Sequence, residues 1–354
     1  LSLLLLPGIA RLEIDDGWTR NFRPDHSIVR DVRWFEKESV GVYQFDLMLT
    51  RRDGRGWTDP RSLRELERFQ SFAEGSPEIT ASLGLPDLVR DRAWELGDLS
   101  APRPALPATR QETGTLLATY RIFNEEIFLR MFLEPENRST RLILTTSRDD
   151  YATSTRARHA VDEALRRAFP DGAVEARVGG SAERGRVLIE SVVSSQGISV
   201  AVSLLLSWLT LGFASGRWGT ALRCILAIVW ALALVLGIAG WAGIPLGVAS
   251  SCFLALGVGV GLDYGIHLAF GRQEGEEGAV FLRVLANVLV VGAGLSILML
   301  SANPTIARLG LLIVLSMTAS GYTAIVVFRG IDKREKNVVH LPNGLDIQTA
   351  QSTS

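Results

Sequence analysis

One carboxylate stands out in this 354-residue chain. The run Leu256-Gly-Val-Gly-Val-Gly-Leu-Asp263-Tyr264-Gly-Ile-His267-Leu268 is apolar and glycine-rich, apart from three residues able to handle a proton: Asp263, Tyr264 and His267. Asp263 is the only acidic residue well inside any long apolar stretch. Placing a carboxylate within a membrane-spanning helix costs about 3 kcal/mol on insertion scales, and such a residue normally faces the bundle interior, finds a partner and serves a function. Low dielectric favours the neutral acid, so a carboxyl there can take up and release protons near physiological pH. His267, one helical turn later, shares its face, and Tyr264 brings a hydroxyl beside it. The three form a candidate proton relay. The glycines before Asp263 let another helix, or water, approach closely. Two plainer readings stand beside this one: Asp263 holds a static interhelical hydrogen bond, and His267, near the inner end of its span, sits at the membrane interface.

Other chemistry is sparse. The Gly257–Gly261 run is no phosphate loop, because neither a following Lys-Ser/Thr nor a preceding soluble strand accompanies it. No Cys/His cluster has zinc-ligand spacing, and no serine nucleophile with a nearby base is visible, so no metal, cofactor or enzymatic centre is expected. The two cysteines, Cys224 and Cys252, lie in apolar runs and read as packing residues rather than a disulfide framework. With 37 Lys and Arg against 38 Asp and Glu, the formal net charge of −1 gives no basic field for nucleic acid. Glu190 is too near the outer edge of its span to need an intramembrane role. Asn287, Ser316, Thr318, Ser320 and Thr323 are expected to hydrogen-bond neighbouring helices, and Trp208, Trp230 and Trp241 to pack or anchor at the interface.

Charge is distributed unevenly. Residues 11–186 are dense in Arg, Asp and Glu, whereas 187–328 are mostly apolar. Five apolar stretches, about Val187–Phe213, Ala221–Gly243, Leu246–Phe270, Val280–Ser301 and Ile306–Phe328, are each long enough to cross roughly 30 Å of hydrocarbon as a helix. Helices are required because lipid cannot satisfy exposed backbone groups. Basic residues set the orientation. Arg217 and Arg223 flank the first loop, Arg272 and Arg283 the third, and Arg329, Lys333, Arg334 and Lys336 follow the last span. This alternation places the 329–354 tail in the cytoplasm and the 11–186 domain outside, which in a bacterium is the periplasm. Only Arg308 runs against the rule. Leu1–Ile9 is apolar but too short to span, and residues 1–10 read as the remnant of a truncated first transmembrane helix, so that the chain looks like a piece of a longer protein.

The charged domain reads as mixed α/β. Val40–Thr50 alternates apolar and polar residues as a half-buried strand does. Asp59-Pro60 opens a helix over about Arg61–Glu74, with Leu63, Leu66, Phe69 and Phe72 expected close to one face. Phe128–Leu133 and Thr140–Thr146 are predicted as strands joined across Pro135-Glu-Asn137. Asp150 caps a helix through Phe169, and Val174–Val178 is a last strand leading to the membrane. Two β-α-β units result, with the proline-containing 99–111 stretch as their linker. The fold expected is an α+β membrane protein: an extracytoplasmic domain of β-α-β units followed by a five-helix transmembrane bundle.

This pattern resembles the resistance–nodulation–division (RND) superfamily, and within it the MMPL-like exporters of lipids and hydrophobic molecules. The order of one span, a large extracytoplasmic domain and five spans is one half of such a transporter. The Gly-Val-Gly-Val-Gly-Leu-Asp263-Tyr264-Gly-Ile-His267-Leu268 segment resembles the family's fourth-span motif, and Leu12-Glu-Ile-Asp-Asp16…Asn21-Phe-Arg-Pro-Asp-His26 resembles the passage from first span to porter domain. The spans also resemble sterol-sensing domains. The resemblance implies proton-motive-force-driven export of lipids or other hydrophobic molecules from the inner membrane, with Asp263 and Tyr264 in the proton relay and His267 at a position often held by His. It implies as partners the lipid bilayer, a hydrophobic or lipid substrate, and a second transporter half or a homo-oligomer. The alternative is a non-transporting lipid sensor or assembly factor built on a sterol-sensing-like bundle.

Overall fold

The structure is a computed structural model that describes residues 2–38, 41–97, 99–100, 102–273 and 277–339. A short helix α1 (Ser2–Leu5) and a 3-10 turn (Leu6–Arg11) lead in, followed by a second 3-10 turn (Trp18–Asn21) and α2 (Ser27–Lys37). The extramembrane domain then runs β1 (Tyr43–Arg51), α3 (Pro60–Glu74), β2 (Ile79–Leu83), α4 (Leu85–Glu95), α5 (Arg110–Ile122), α6 (Glu126–Arg130), β3 (Ser139–Thr146), α7 (Tyr151–Ala168) and β4 (Val174–Gly179). The sheet order is β2-β3-β1-β4, with every neighbouring pair antiparallel. Each β-α-β unit is therefore split: β3 lies between β1 and β2, and β1 lies between β3 and β4.

Alternation builds the core of this domain. Phe45, Leu47 and Leu49 of β1 and Leu142 and Leu144 of β3 point to one face, where Leu63, Leu66, Phe69 and Ala73 of α3 and Ala157, Val161 and Ala164 of α7 cover them. Phe72, expected on the buried face of α3, is exposed. At about 3.6 residues per turn, a three-residue spacing drifts around the helix, and Ala73 falls on the core side instead. Phe128–Leu133, expected as a strand, is a helical turn that reaches the sheet only through a bridge from Leu133 to Thr140. Of the expected first strand, Val40 lies outside the described residues. Asp150 caps α7 as read from the sequence, accepting from Thr153 N at 2.7 Å.

No linker separates this domain from the apolar region. β4 turns at Gly180 (φ +95°) straight into α8 (Gly180–Ser215). A Cβ at Gly180 would lie 2.4 Å from the Gln44 carbonyl oxygen, so both its backbone angle and its space require glycine. The 36 residues of α8 extend about 54 Å, well beyond a hydrocarbon core of roughly 30 Å. Its first turns pack on β1 and α7, and its later turns on α9 (Trp218–Trp241). After α9 come α10 (Val248–Ser251), α11 (Phe253–Gln273), α12 (Glu277–Ser296) and α13 (Pro304–Val339).

Five helical segments are long and apolar enough to cross a membrane: Gly180–Ser215, Trp218–Trp241, Val248–Ala269, Gly278–Leu300 and Pro304–Val327. α9 and α13 form the packed centre, and α8 and α12 are mostly uncovered within the chain. The helix α13 continues to Val339, through the first part of the polar tail, whose remainder (340–354) lies outside the described residues. The leading segment is stitched to the α9–α10 loop: Leu246 N donates to Glu13 O at 2.8 Å, Asp15 N to Leu246 O at 3.0 Å, and Val248 N to Asp16 Oδ2 at 3.1 Å. Before it, Gly8 lies so close to α9 that a Cβ there would stand 2.1 Å from the Gly237 carbonyl oxygen.

Candidate functional site

The two sides of α11 do different things. Gly257, Gly261 and Gly265 recur every fourth residue and therefore line one face. A Cβ on Gly257 would lie 2.3 Å from Ser316 Oγ and 2.9 Å from Leu232 Cδ2. On Gly261 it would lie 3.0 Å from Ile228 Cγ1 and 3.1 Å from Ser320 Oγ, and on Gly265 3.2 Å from Cys224 Cβ. The three glycines thus form a ladder against Cys224, Ile228 and Leu232 of α9 and Ser316 and Ser320 of α13. This close fit is the packing that small residues give helices in lipid.

Asp263 and His267 sit on the other face. Their side chains are 53% and 63% exposed, and His267 Nε2 lies 3.3 Å from Asp263 Oδ1. Cys252, Leu256 and Gly259 continue the same uncovered stripe toward the outer end, and nothing lies within 4 Å of a Cβ built on Gly259. The sequence expectation that Asp263 faces the interior of this bundle is therefore corrected: within the chain it faces outward, with His267 beside it. The reason is geometric. Positions 257, 261 and 265 claim the inner face, and 263 is six residues from 257, about 240° around the helix.

Tyr264 follows Asp263 in sequence but turns to a different environment. It is 1% exposed, packed among Val280 and Val284 of α12 and Ala324 of α13. Its hydroxyl has no hydrogen-bond partner among the described residues, so it does not bond Asp263. The hydroxyls of Ser316 and Ser320 are buried and equally unpartnered. Thr318 and Thr323 instead bond carbonyls of their own helix, Val314 O at 2.8 Å and Ser320 O at 3.2 Å. The expected cross-helix hydrogen bonds of this polar set are thus absent among the described residues, and Asn287 is exposed on α12. Three buried orphan hydroxyls in an apolar seam are each costly. The sequence singled out all three residues, but expected Ser316 and Ser320 to bond neighbouring helices, where the structure leaves their hydroxyls unpartnered among the described residues.

No group of three or more metal-ligating side chains gathers among the described residues.

No protein-family model matches the sequence, and no curated protein matches it. Solved structures do. The hedgehog release protein Disp from the water bear Hypsibius dujardini, seen by cryo-electron microscopy, aligns over 92% of this chain with a TM-score of 0.53 at 16% sequence identity. The chain shares the fold of the aligned part of that neighbour. It spans 46% of the length of that neighbour. The outward stripe of α11 is a face that the described residues of this chain do not cover.

Proposed function

We propose that this chain is one half of an RND-like, proton-coupled exporter of lipids or other hydrophobic molecules, of the MMPL-like type. In this reading it resides in a bacterial inner membrane, with residues 11–186 in the periplasm and the C-terminus in the cytoplasm. A second half, or a second copy of the chain, packs against the open stripe of α11 and encloses Asp263 and His267. The observation that carries the reading is this pair: two titratable side chains 3.3 Å apart on a glycine-containing face of a membrane helix, uncovered in the isolated chain.

The arrangement supports the following working cycle. Closed against a partner, Asp263 and His267 leave water together, and a buried charge there needs a counter-charge or hydrogen bonds within the interface. Taking up or releasing a proton changes what the pair attracts across the interface. α11 transmits the change because its opposite face interlocks with α9 and α13 through the glycine ladder. Tyr264, Ser316 and Ser320 supply unspent hydroxyls along the inner seam, able to bind water and extend a proton path. α8 carries the motion outward, since it joins β4 without a hinge and reshapes the extramembrane domain as the bundle shifts.

The test is proton flux in liposomes carrying the full chain together with whatever half completes it, with an imposed pH gradient. Asp263→Asn reduces lipid-coupled flux to the level of protein-free liposomes. Unchanged flux in this variant removes the mechanism, and lipid binding that persists with no effect of the gradient favours a sensor.

A further inference from the structure

Arg308 is the one cation that defies the orientation read from the basic residues. It lies on the second turn of α13, about 6 Å along the axis from Pro304, on the same side of the bundle as the extramembrane domain. It makes no hydrogen bond or ion pair among the described residues, and it is half-buried. It opens onto a cavity of about 500 Å3 between the leading segment, α2, the β3–α7 loop and the top of α13. Four arginines line this cavity: Arg20, Arg33, Arg148 and Arg308.

The acidic groups there are almost all committed. Asp15, next to the cavity, holds Arg20 at 2.7 Å and accepts from Gly17 N and Tyr151 N. Asp149 accepts from Thr19 N, Thr19 Oγ1 and Tyr43 Oη at 3.1, 2.8 and 3.2 Å. Asp150 is occupied by Thr153. Glu36 alone is left, and burial, with Asp149 adding to it, pushes its carboxyl above the ordinary value. Glu36 acts on Arg33 and Arg148, and Asp15 on Arg308, only from a distance; the three guanidinium groups face the cavity with no hydrogen bond or ion pair among the described residues. Phe22, Val29, Val32 and Pro304 give it an apolar wall.

A half-buried arginine that no carboxylate contacts directly is expensive, and guanidinium forks match phosphate oxygens in pairs. An inorganic phosphate and a phospholipid headgroup share that chemistry. The position decides between them: Arg308 belongs to an apolar spanning helix, within one or two turns of its outer end, which is headgroup depth.

We infer that this cavity binds the phosphate of an anionic lipid from the outer leaflet, with Arg308 as its deepest contact and Arg33 and Arg148 above it. The inference deepens the lipid-handling reading by naming a headgroup class, and it needs no proton gradient.

The experiment compares lipid retention by the purified full chain in nanodiscs of phosphatidylcholine containing phosphatidylglycerol at a series of fractions, read by native mass spectrometry. The wild-type chain retains phosphatidylglycerol over phosphatidylcholine, and Arg308→Gln lowers that preference about tenfold, as expected for losing one charge-assisted contact. Arg308→Lys restores part of it, which a mere folding defect would not allow, and Arg217→Gln on the opposite side of the bundle leaves it unchanged. Millimolar inorganic phosphate added to the wild type separates the sources. Retention that persists supports a lipid site, and phosphate that displaces the lipid entirely shows a site for the free anion and overturns the assignment. Equal phosphatidylglycerol preference in wild type and Arg308→Gln also overturns it. No gradient is applied, so failure of the Asp263 flux test leaves this result standing, and the reverse holds too.

Discussion

The two faces of α11 share a helix and a glycine-rich composition, yet they are built for opposite purposes. On one, Gly257, Gly261 and Gly265 bring α9 and α13 so near that an added Cβ on Gly257 would stand 2.3 Å from Ser316 Oγ. On the other, Gly259 has open space around it, and Asp263 and His267 are more than half exposed. Glycine content alone does not distinguish them. What distinguishes them is whether this chain supplies the neighbour: the first face is spent on folding, and the second, uncovered among the described residues, is the one where the proposed partner would pack.

Substitutions can break this contrast. The largest effect is expected at Asp263. Asp263→Asn abolishes coupled flux while leaving the thermal unfolding midpoint of the solubilised chain within about 1 °C, because an exposed residue contributes little to folding. A large loss of stability would show that the open face is structural after all. Gly257→Leu comes next and acts in the opposite way. Overpacking typically costs about 1–3 kcal/mol, occasionally more, so the midpoint falls by several degrees and flux falls with it. Gly259→Leu sharpens the comparison, since it leaves the isolated chain as stable as wild type but weakens association with its partner or second copy in a concentration series. Equal destabilisation by Gly257→Leu and Gly259→Leu would erase the distinction between the faces. His267→Gln is expected to have the smallest effect on α11, a few-fold loss of flux with an altered pH profile.

The extramembrane domain offers the same contrast from the other side. Arg51 is fully buried there, but Asp53 and Glu65 meet it at 2.7 Å each. The hydrogen bond from Arg51 holds the Asp53 carboxyl well below the usual carboxylate range, with Arg55 assisting. A depressed folded-state value stabilises the domain at pH above the unfolded value of about 3.9, and that contribution is lost as pH falls below it. Arg51→Met is expected to lower stability at pH 7 by about 2 kcal/mol and to flatten the acid limb of a stability–pH curve measured by denaturant unfolding. An unchanged acid limb would show that this cluster does not govern acid sensitivity.

Some of this was readable from the residues. Val174–Val178 and Thr140–Thr146 carry strand alternation, Asp150 is a cap by type and place, and the five apolar stretches each coincide with a helix long enough to cross a membrane. These are properties of short segments, set by side-chain period and by the intolerance of lipid for open backbone groups. Where several weak signals competed, the reading failed. Phe128–Leu133 has strand-like composition but is held as a turn by α5 and the 134–139 loop, and β2 and α4 carried no signal strong enough to be seen. The residues Asp263, Tyr264 and His267 were legible as types in a motif, but their directions were not.

The sequence alone determined that an ionisable residue lies within an apolar helix, that basic residues alternate between loops, and that Arg308 is the exception. Only the tertiary structure decided that Asp263 points away from its own bundle, that Tyr264 parts from it, and that Arg308 ends beside a cavity lined also by Arg20, Arg33 and Arg148. The reason is that each assignment depends on which side of a helix its neighbours occupy. A helix fixes the angle between residues 263 and 264 at about 100°, but it does not fix which of those directions another helix will fill.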